Sequence, residues 1–554
     1  MKFKYSWLPI ALLGLTACDV NNDLEPIPAI ETPVVEISAT GLDFSNYISI
    51  GASFTAGFTD NALFIAAQEN SFPNTMAKKF QMAGGGDFSQ PLMNDNIGGL
   101  LFGPNVIQAP RLFFNGSAPA VLDATPTTDV TVKLPSQTNN FGIPGAKSYH
   151  FVAPGYGSVN AVPLQRANPY FARFSSSETA TVLGDAMANN PTFFTLSEIG
   201  GNDVLGYALS GGTGVNQLGN LDASTYGSAD ITDPNVFTSV LNTMVNTLTT
   251  NPEVKGVMAN IPYITSLAHF TTVPYNPLDP TAATDAGAQL AAQIPLLNTV
   301  YGAINQVYAG AGEAERSIVF ATDATNPLVI FDEDARDLSG AITATLGASP
   351  TFVPFVQSLG LPAAAAPLVA QLLGEQYGKA RSATANDLFV LPSSSIIGTV
   401  NEAKAASLIA DSGGLLPATL AGQFSAEGVT LPLADKWVLT PQEQAEIKTA
   451  TDSYNTTIKT IADSKGLAFV DFKTILQEAA TNGLPFDDFI MTTNLVTGGL
   501  ISLDGVHLTA RGYALMANKF LEAIDTTYGS NFAEATDGLA NANNFPTNYS
   551  PLLR

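Results

Sequence analysis

Of the three histidines in the 554 residues, His150, His269 and His507, one sits where it could serve as a base. His507 has an acidic residue three positions upstream, in Asp504-Gly505-Val506-His507. A turn of that length can hold a carboxylate against one imidazole nitrogen and leave the other free to take a proton. A base held in this way can activate a hydroxyl, which is otherwise a poor nucleophile. Gly51-Ala52-Ser53-Phe54-Thr55-Ala56-Gly57 supplies the serine, directly after a β-prone run. Attack on an acyl carbon then needs donors for the oxyanion, each worth about 2.7–4 kcal/mol of barrier. Gly200-Gly201-Asn202-Asp203 offers the Asn202 side-chain amide, beside glycines that allow close backbone approach. Asn140-Phe141-Gly142-Ile143-Pro144-Gly145-Ala146 offers a main-chain N–H at Gly145. The chemistry these groups compose is ester hydrolysis. His150 and His269 belong to no metal-ligand cluster, so neither a metal nor a cofactor is expected.

The elements that must position these groups alternate along the chain. Asn46 to Ile50 reads as a strand ending at Gly51, and Phe72 to Met82 as a helix. Strands are expected at Thr192–Ile199, Gly256–Ile261 and Leu467–Asp471, with helices at about Ala180–Asn189, Asn235–Leu248 and Ala510–Thr526. That alternation is the signature of a parallel α/β sheet, whose ligands sit at the carboxyl edges of its strands. The strongest local signal is Thr440-Pro441-Gln442-Glu443, a capping box with proline at the first helical position, followed by an apolar stripe and a stop at Gly466. Residues from about 85 to 135 form a β-rich excursion, with strands expected at Arg111–Phe114 and Val130–Leu134. Residues 276–435 break the rhythm as a mostly helical insertion or cap. There a helix is expected to begin at Pro295, Ser317–Thr322 and Leu328–Phe331 to pair as strands, and Pro354–Tyr377 to be helical.

With Ser, Gly, Asn and His in that order on such elements, the chain resembles the SGNH (GDSL-type) hydrolases. The resemblance covers roughly residues 44–60, 138–265 and 438–526, and leaves out the excursion and the insertion. It implies a flavodoxin-like three-layer α/β/α sandwich with a parallel sheet. It carries the nucleophile to Ser53, the charge-relay pair to Asp504 and His507, and the oxyanion donors to the Ser53 amide, Gly145 and Asn202. The first block departs from the family's Gly-Asp-Ser-Leu, with Ala52 in place of the aspartate and Phe54 in place of the leucine. An α/β-hydrolase elbow is excluded because Thr55 stands where glycine is required, two residues after the serine.

Composition narrows the partners. A formal charge of −25 without a basic cluster repels phosphate backbones, which argues against nucleic acid. Lys2 and Lys4, the apolar run Trp7–Gly14 and Leu15-Thr16-Ala17-Cys18 resemble a bacterial lipoprotein signal, with lipid attached to Cys18 after removal of residues 1–17. As the single cysteine, Cys18 forms no intrachain disulfide. The expected order is a signal peptide at 1–17, a tether at 18–40, a catalytic part at 41–275, the insertion at 276–435, a second catalytic part at 436–530 and a loose polar tail at 531–554. The expected location is the bacterial cell envelope, with the membrane reached through Cys18. The expected substrate is an acyl lipid, an acetylated glycan or a small ester. A binding lipoprotein that uses the same scaffold without turnover, holding a glycan, lipid or protein, is the alternative.

Overall fold

The computed structural model describes residues 34–135 and 137–554. The expected signal peptide, Cys18 and the first part of the expected tether lie outside the described residues. Five parallel strands form the central sheet: β1 (Tyr47–Gly51), β2 (Asn140–Gly142), β3 (Phe193–Leu196), β4 (Lys255–Ala259) and β5 (Ala468–Val470), in the spatial order β5-β4-β3-β1-β2. Ile50 pairs with Phe141 on one side and Leu196 on the other, and Met258 pairs with Leu196 and Phe469. Every residue of β1 and β3 is buried. Because successive side chains point to opposite faces, both faces of the sheet are covered.

Helices supply that cover. Helix α1 (Ser53–Ala56) follows β1 at once, and α2 (Phe72–Met82) comes after it. Helices α3 (Asn202–Leu209) and α4 (Pro234–Leu248) precede the insertion. Within the insertion the main helices are α5 (Asp285–Gly310), α6 (Ser339–Ala348) and α7 (Ala366–Tyr377). Helices α8 (Pro441–Lys465), α9 (Phe472–Thr481) and α10 (Ala510–Tyr528) complete the body. Helix α10 packs on α2, β4 and β5, while α8 packs on α3, α4, β4 and β5. The α8 capping box forms as expected: Thr440 Oγ1 accepts from Glu443 N, and Glu443 Oε2 accepts from Thr440 N at 2.6 Å. Gly466 ends the helix in the left-handed conformation. Among the described residues no single helix is long and apolar enough to cross a membrane.

The insertion departs from expectation in three ways. Its first helix begins at Asp285, with Thr284 Oγ1 accepting from Gly287 N, so Pro295 lies inside α5 and forgoes one ladder bond. Ser317–Thr322 is not a strand. It is pinned to α5 by asparagine side chains: Asn298 bonds both backbone polar groups of Phe320, and Asn305 both of Ile318. Val329–Phe331 pairs instead with Ala380–Ser382, antiparallel. The helical run at 354–377 is broken in two, Phe352–Ser358 and α7. In the excursion Leu112–Phe114 is a strand, but Val130–Leu134 is a turn built on Asp129, whose Oδ1 accepts from Thr131 N. The tail is not loose. Phe532, Ala542 and Tyr549 are buried, and the fully buried Arg111 guanidinium donates to the carbonyls of Ser550 and Leu553.

Candidate active site

Ser53 is the first residue of α1, at the carboxyl end of β1, and is 8% exposed. The turn that presents it is tight. A Cβ on Gly51 would lie 2.1 Å from Thr55 Oγ1 and 2.7 Å from the Ser197 carbonyl, so no larger residue fits there. The turn is held from below by Glu198, at the end of β3. Its Oε1 accepts from Ala52 N and Thr55 N, both at 2.7 Å, and its Oε2 is buried with no partner. Burial raises the Glu198 carboxyl above its ordinary range, against the lowering pull of the Thr55 and Ala52 N–H donors. No motif marks Glu198. Its one signal in the sequence is a single acidic residue in an otherwise uncharged β-prone run, Thr192–Ile199.

His507, the expected base, lies in the segment just before α10, whose N-cap is Thr509. His507 Nδ1 lies 3.0 Å from Asp504 Oδ2, while Asp504 Oδ1 accepts from Val506 N and His507 N, each at 2.8 Å. Burial would raise the Asp504 carboxyl, but the His507 imidazole and these N–H donors outweigh it and hold the group far below the usual carboxylate range. With Nδ1 directed at Asp504, Nε2 is the nitrogen left to act. Gly505 (φ +78°) passes so close to His269 that a Cβ would come within 2.8 Å of its backbone N. His269 N donates to Gly505 O, and its Nδ1 lies 3.2 Å from Asp504 O, so this buried histidine is a packing wall of the turn.

Two contacts bring the histidine to the serine turn. The His507 ring lies 4.6 Å from the ring of Phe58 and 5.6 Å from that of Phe54, which adjoins Ser53. Between the two segments Asn61 N donates to Asp504 Oδ2 at 2.8 Å, Leu503 N to Asp60 Oδ1 at 3.1 Å, and Thr59 Oγ1 to Leu508 O. Among the described residues Ser53 Oγ makes no hydrogen bond, to His507 or to any other group.

The expected oxyanion donors lie on neighbouring strand ends. Asn202 opens α3 after β3, and its Nδ2 donates one hydrogen to Ala146 O at 2.9 Å, which leaves the second unused. That bond ties Asn202 to the residue after Gly145, an exposed glycine whose N–H has no acceptor among the described residues. The Ser53 N–H is likewise without a protein acceptor, at the first position of a helix. Asp203 turns away from this edge, its carboxylate accepting from Ser148 N and Oγ. His150 is stacked at 4.1 Å on Tyr156, and its Nδ1 accepts from Lys147 N; burial, aided by Lys147, pushes it down to about 3. An apolar cavity lined by Phe54, Leu476, Leu500, Leu508 and Met516 adjoins the turn without reaching Ser53 or His507. Among the described residues, none in 276–435 hydrogen-bonds to or stacks on the five site residues.

Comparison with protein-family models, with curated proteins and with solved structures gave no match.

Proposed function

We propose that the chain is a serine ester hydrolase of the SGNH type, tethered to a bacterial envelope membrane through a lipid on Cys18. The observation that carries this reading is the Asp504–His507 pair at 3.0 Å, laid by Phe54 and Phe58 against the turn that bears Ser53. The strand order 2-1-3-4-5 supports it, since that is the flavodoxin-like order and puts the β1/β3 edge at the topological switch point. Ser53 and Asn202 follow those two strands.

In this reading Ser53 Oγ attacks the ester carbonyl carbon as His507 Nε2 takes its proton. Asp504 holds the imidazole in the required tautomer and stabilises its positive charge. The N–H groups of Ser53 and Gly145 and the free hydrogen of Asn202 Nδ2 receive the oxyanion. The proton passes to the departing alkoxide, and the acyl group stays on Ser53. Water then loses a proton to His507 and attacks the acyl-serine; the acid is released as His507 returns that proton to Ser53 Oγ. The reading requires Ser53 Oγ to reach Nε2 in the substrate complex, and such bonds are commonly loose without substrate. Hydrolysis of short activated esters is the test. Ser53→Ala and His507→Ala should each lower kcat by about 10⁶ with the fold intact; wild-type rates in both would refute the assignment.

A further inference from the structure

A second cluster of reactive groups lies away from this edge, where the insertion meets the body. Carboxylate oxygens of Glu333, Asp435 and Glu443 lie within 4.8 Å of one another. Glu333 follows the insertion strand Val329–Phe331, Asp435 is the insertion's last residue, and Glu443 belongs to the first turn of α8. Glu443 is 2% exposed, and its Oε2 is spent on the capping box. Its Oε1 and Asp435 Oδ1 are both buried with no hydrogen-bond partner. The backbone leaves this corner open for Glu443: a Cβ on Gly212 (φ +81°) would fall 1.9 Å from Oε1, so only glycine permits the carboxylate there.

Three carboxylates gathered around two unpartnered buried oxygens need either a counter-charge or protons. Among the described residues none of the three is in an ion pair. Two nearby cations are committed elsewhere, Arg381 to Asp332 and Asp387 and Lys436 at 4.9 Å over the Trp437 ring; Lys379 Nζ donates to the Glu333 carbonyl, and its charge only partly offsets the rise of the Glu333 carboxyl. An all-oxygen, carboxylate-rich donor set selects a hard cation. Calcium accepts such oxygens at about 2.3–2.6 Å in flexible geometry, whereas magnesium demands a near-ideal octahedron and keeps several of its waters.

We propose that Glu333, Asp435 and Glu443 form a calcium site that clamps the insertion to the first turn of α8. Two of its ligands come from the insertion and one from the body, so the ion joins regions whose apolar cores are separate. The proposal is independent of the esterase reading.

The test uses the full chain, stripped with chelator and titrated with CaCl₂ by calorimetry and thermal melting. One Ca²⁺ should bind per chain with Kd below about 1 mM, and saturation should raise Tm by about 2 °C or more. Asp435→Asn and Glu333→Gln should weaken binding at least tenfold and abolish the rise in Tm. Glu443→Gln, which keeps the capping box, should do the same. Failure of Ca²⁺ to bind or to shift Tm would overturn the proposal, as would a shift unchanged in Asp435→Asn and Glu333→Gln. A protein that ignores calcium but melts higher when any of the three is made neutral would show that the cluster holds protons instead.

Discussion

The body and the insertion bury separate apolar cores, and they differ in what they do with their polar groups. In the body, one sheet edge gathers Ser53, Asn202 and Gly145 from three successive turns, and the Asp504–His507 segment docks beside them. In the insertion the polar side chains mostly serve the backbone. Asn298 and Asn305 satisfy an extended segment, Tyr301 and Tyr308 donate to carbonyls, and Arg316 donates to three. The candidate site thus follows from sheet topology, while the insertion's polar residues mainly hold its own fold together. The carboxylate cluster at the junction is the exception, and it lies where the two regions meet.

The largest expected effects lie at the sheet edge. Asn202→Ala removes one of the proposed oxyanion donors and should lower kcat on short esters by about 10²–10³ with little change in KM. Glu198→Ala frees the Ala52 and Thr55 amides beneath the serine and should cost about 10² in kcat. Glu198→Gln retains an acceptor and should recover most of that loss, a rescue that a merely destabilised fold would not show. A substitution in the other core breaks the comparison if it fails. Ile304→Ala, at a fully buried position of α5, should cost about 2–5 kcal/mol of the insertion's stability. Below the melting range it should leave short-ester activity within about twofold. A matching loss of activity would mean that the two regions are not separable.

The smallest expected effect concerns the contact between the serine turn and the histidine segment. Burial, reinforced by the charge of Asp504, pushes Asp60 up to about 7 against the Leu503 N–H and Arg111, which lower it. The native state therefore holds a proton that the unfolded chain has released above about pH 4. This carboxyl makes stability fall as pH rises from about 4 to 7, with the full penalty above 7. Asp60→Asn should match wild type in denaturant midpoint near pH 4 and exceed it above pH 7. An unchanged difference between variant and wild type across that window would contradict the assignment.

Sequence patterns made the body legible because its cues are local. Thr440 and Glu443 specify their own cap, and apolar runs ending in glycine mark β1 and the turn before α3. Two kinds of feature escaped. One is side-chain rescue of backbone groups at a distance, as where Asn298 and Asn305 replace a strand partner for Ile318 and Phe320, or where Thr284 starts α5 well ahead of Pro295. The other is long-range docking: Arg111 captures the carbonyls of a tail whose composition suggests looseness, and Glu198 reaches the serine turn from another strand. Neither leaves a periodicity to read, since each depends on residues brought together only by the fold.

The central claim is that the hydroxyl of Ser53 is activated by the Asp504-paired His507. Incubation with a fluorophosphonate probe, followed by peptide mass mapping, tests it most directly. The account predicts rapid stoichiometric modification of Ser53, lost in His507→Ala. Labelling at a different serine, or an unmodified Ser53 after prolonged exposure, would contradict it.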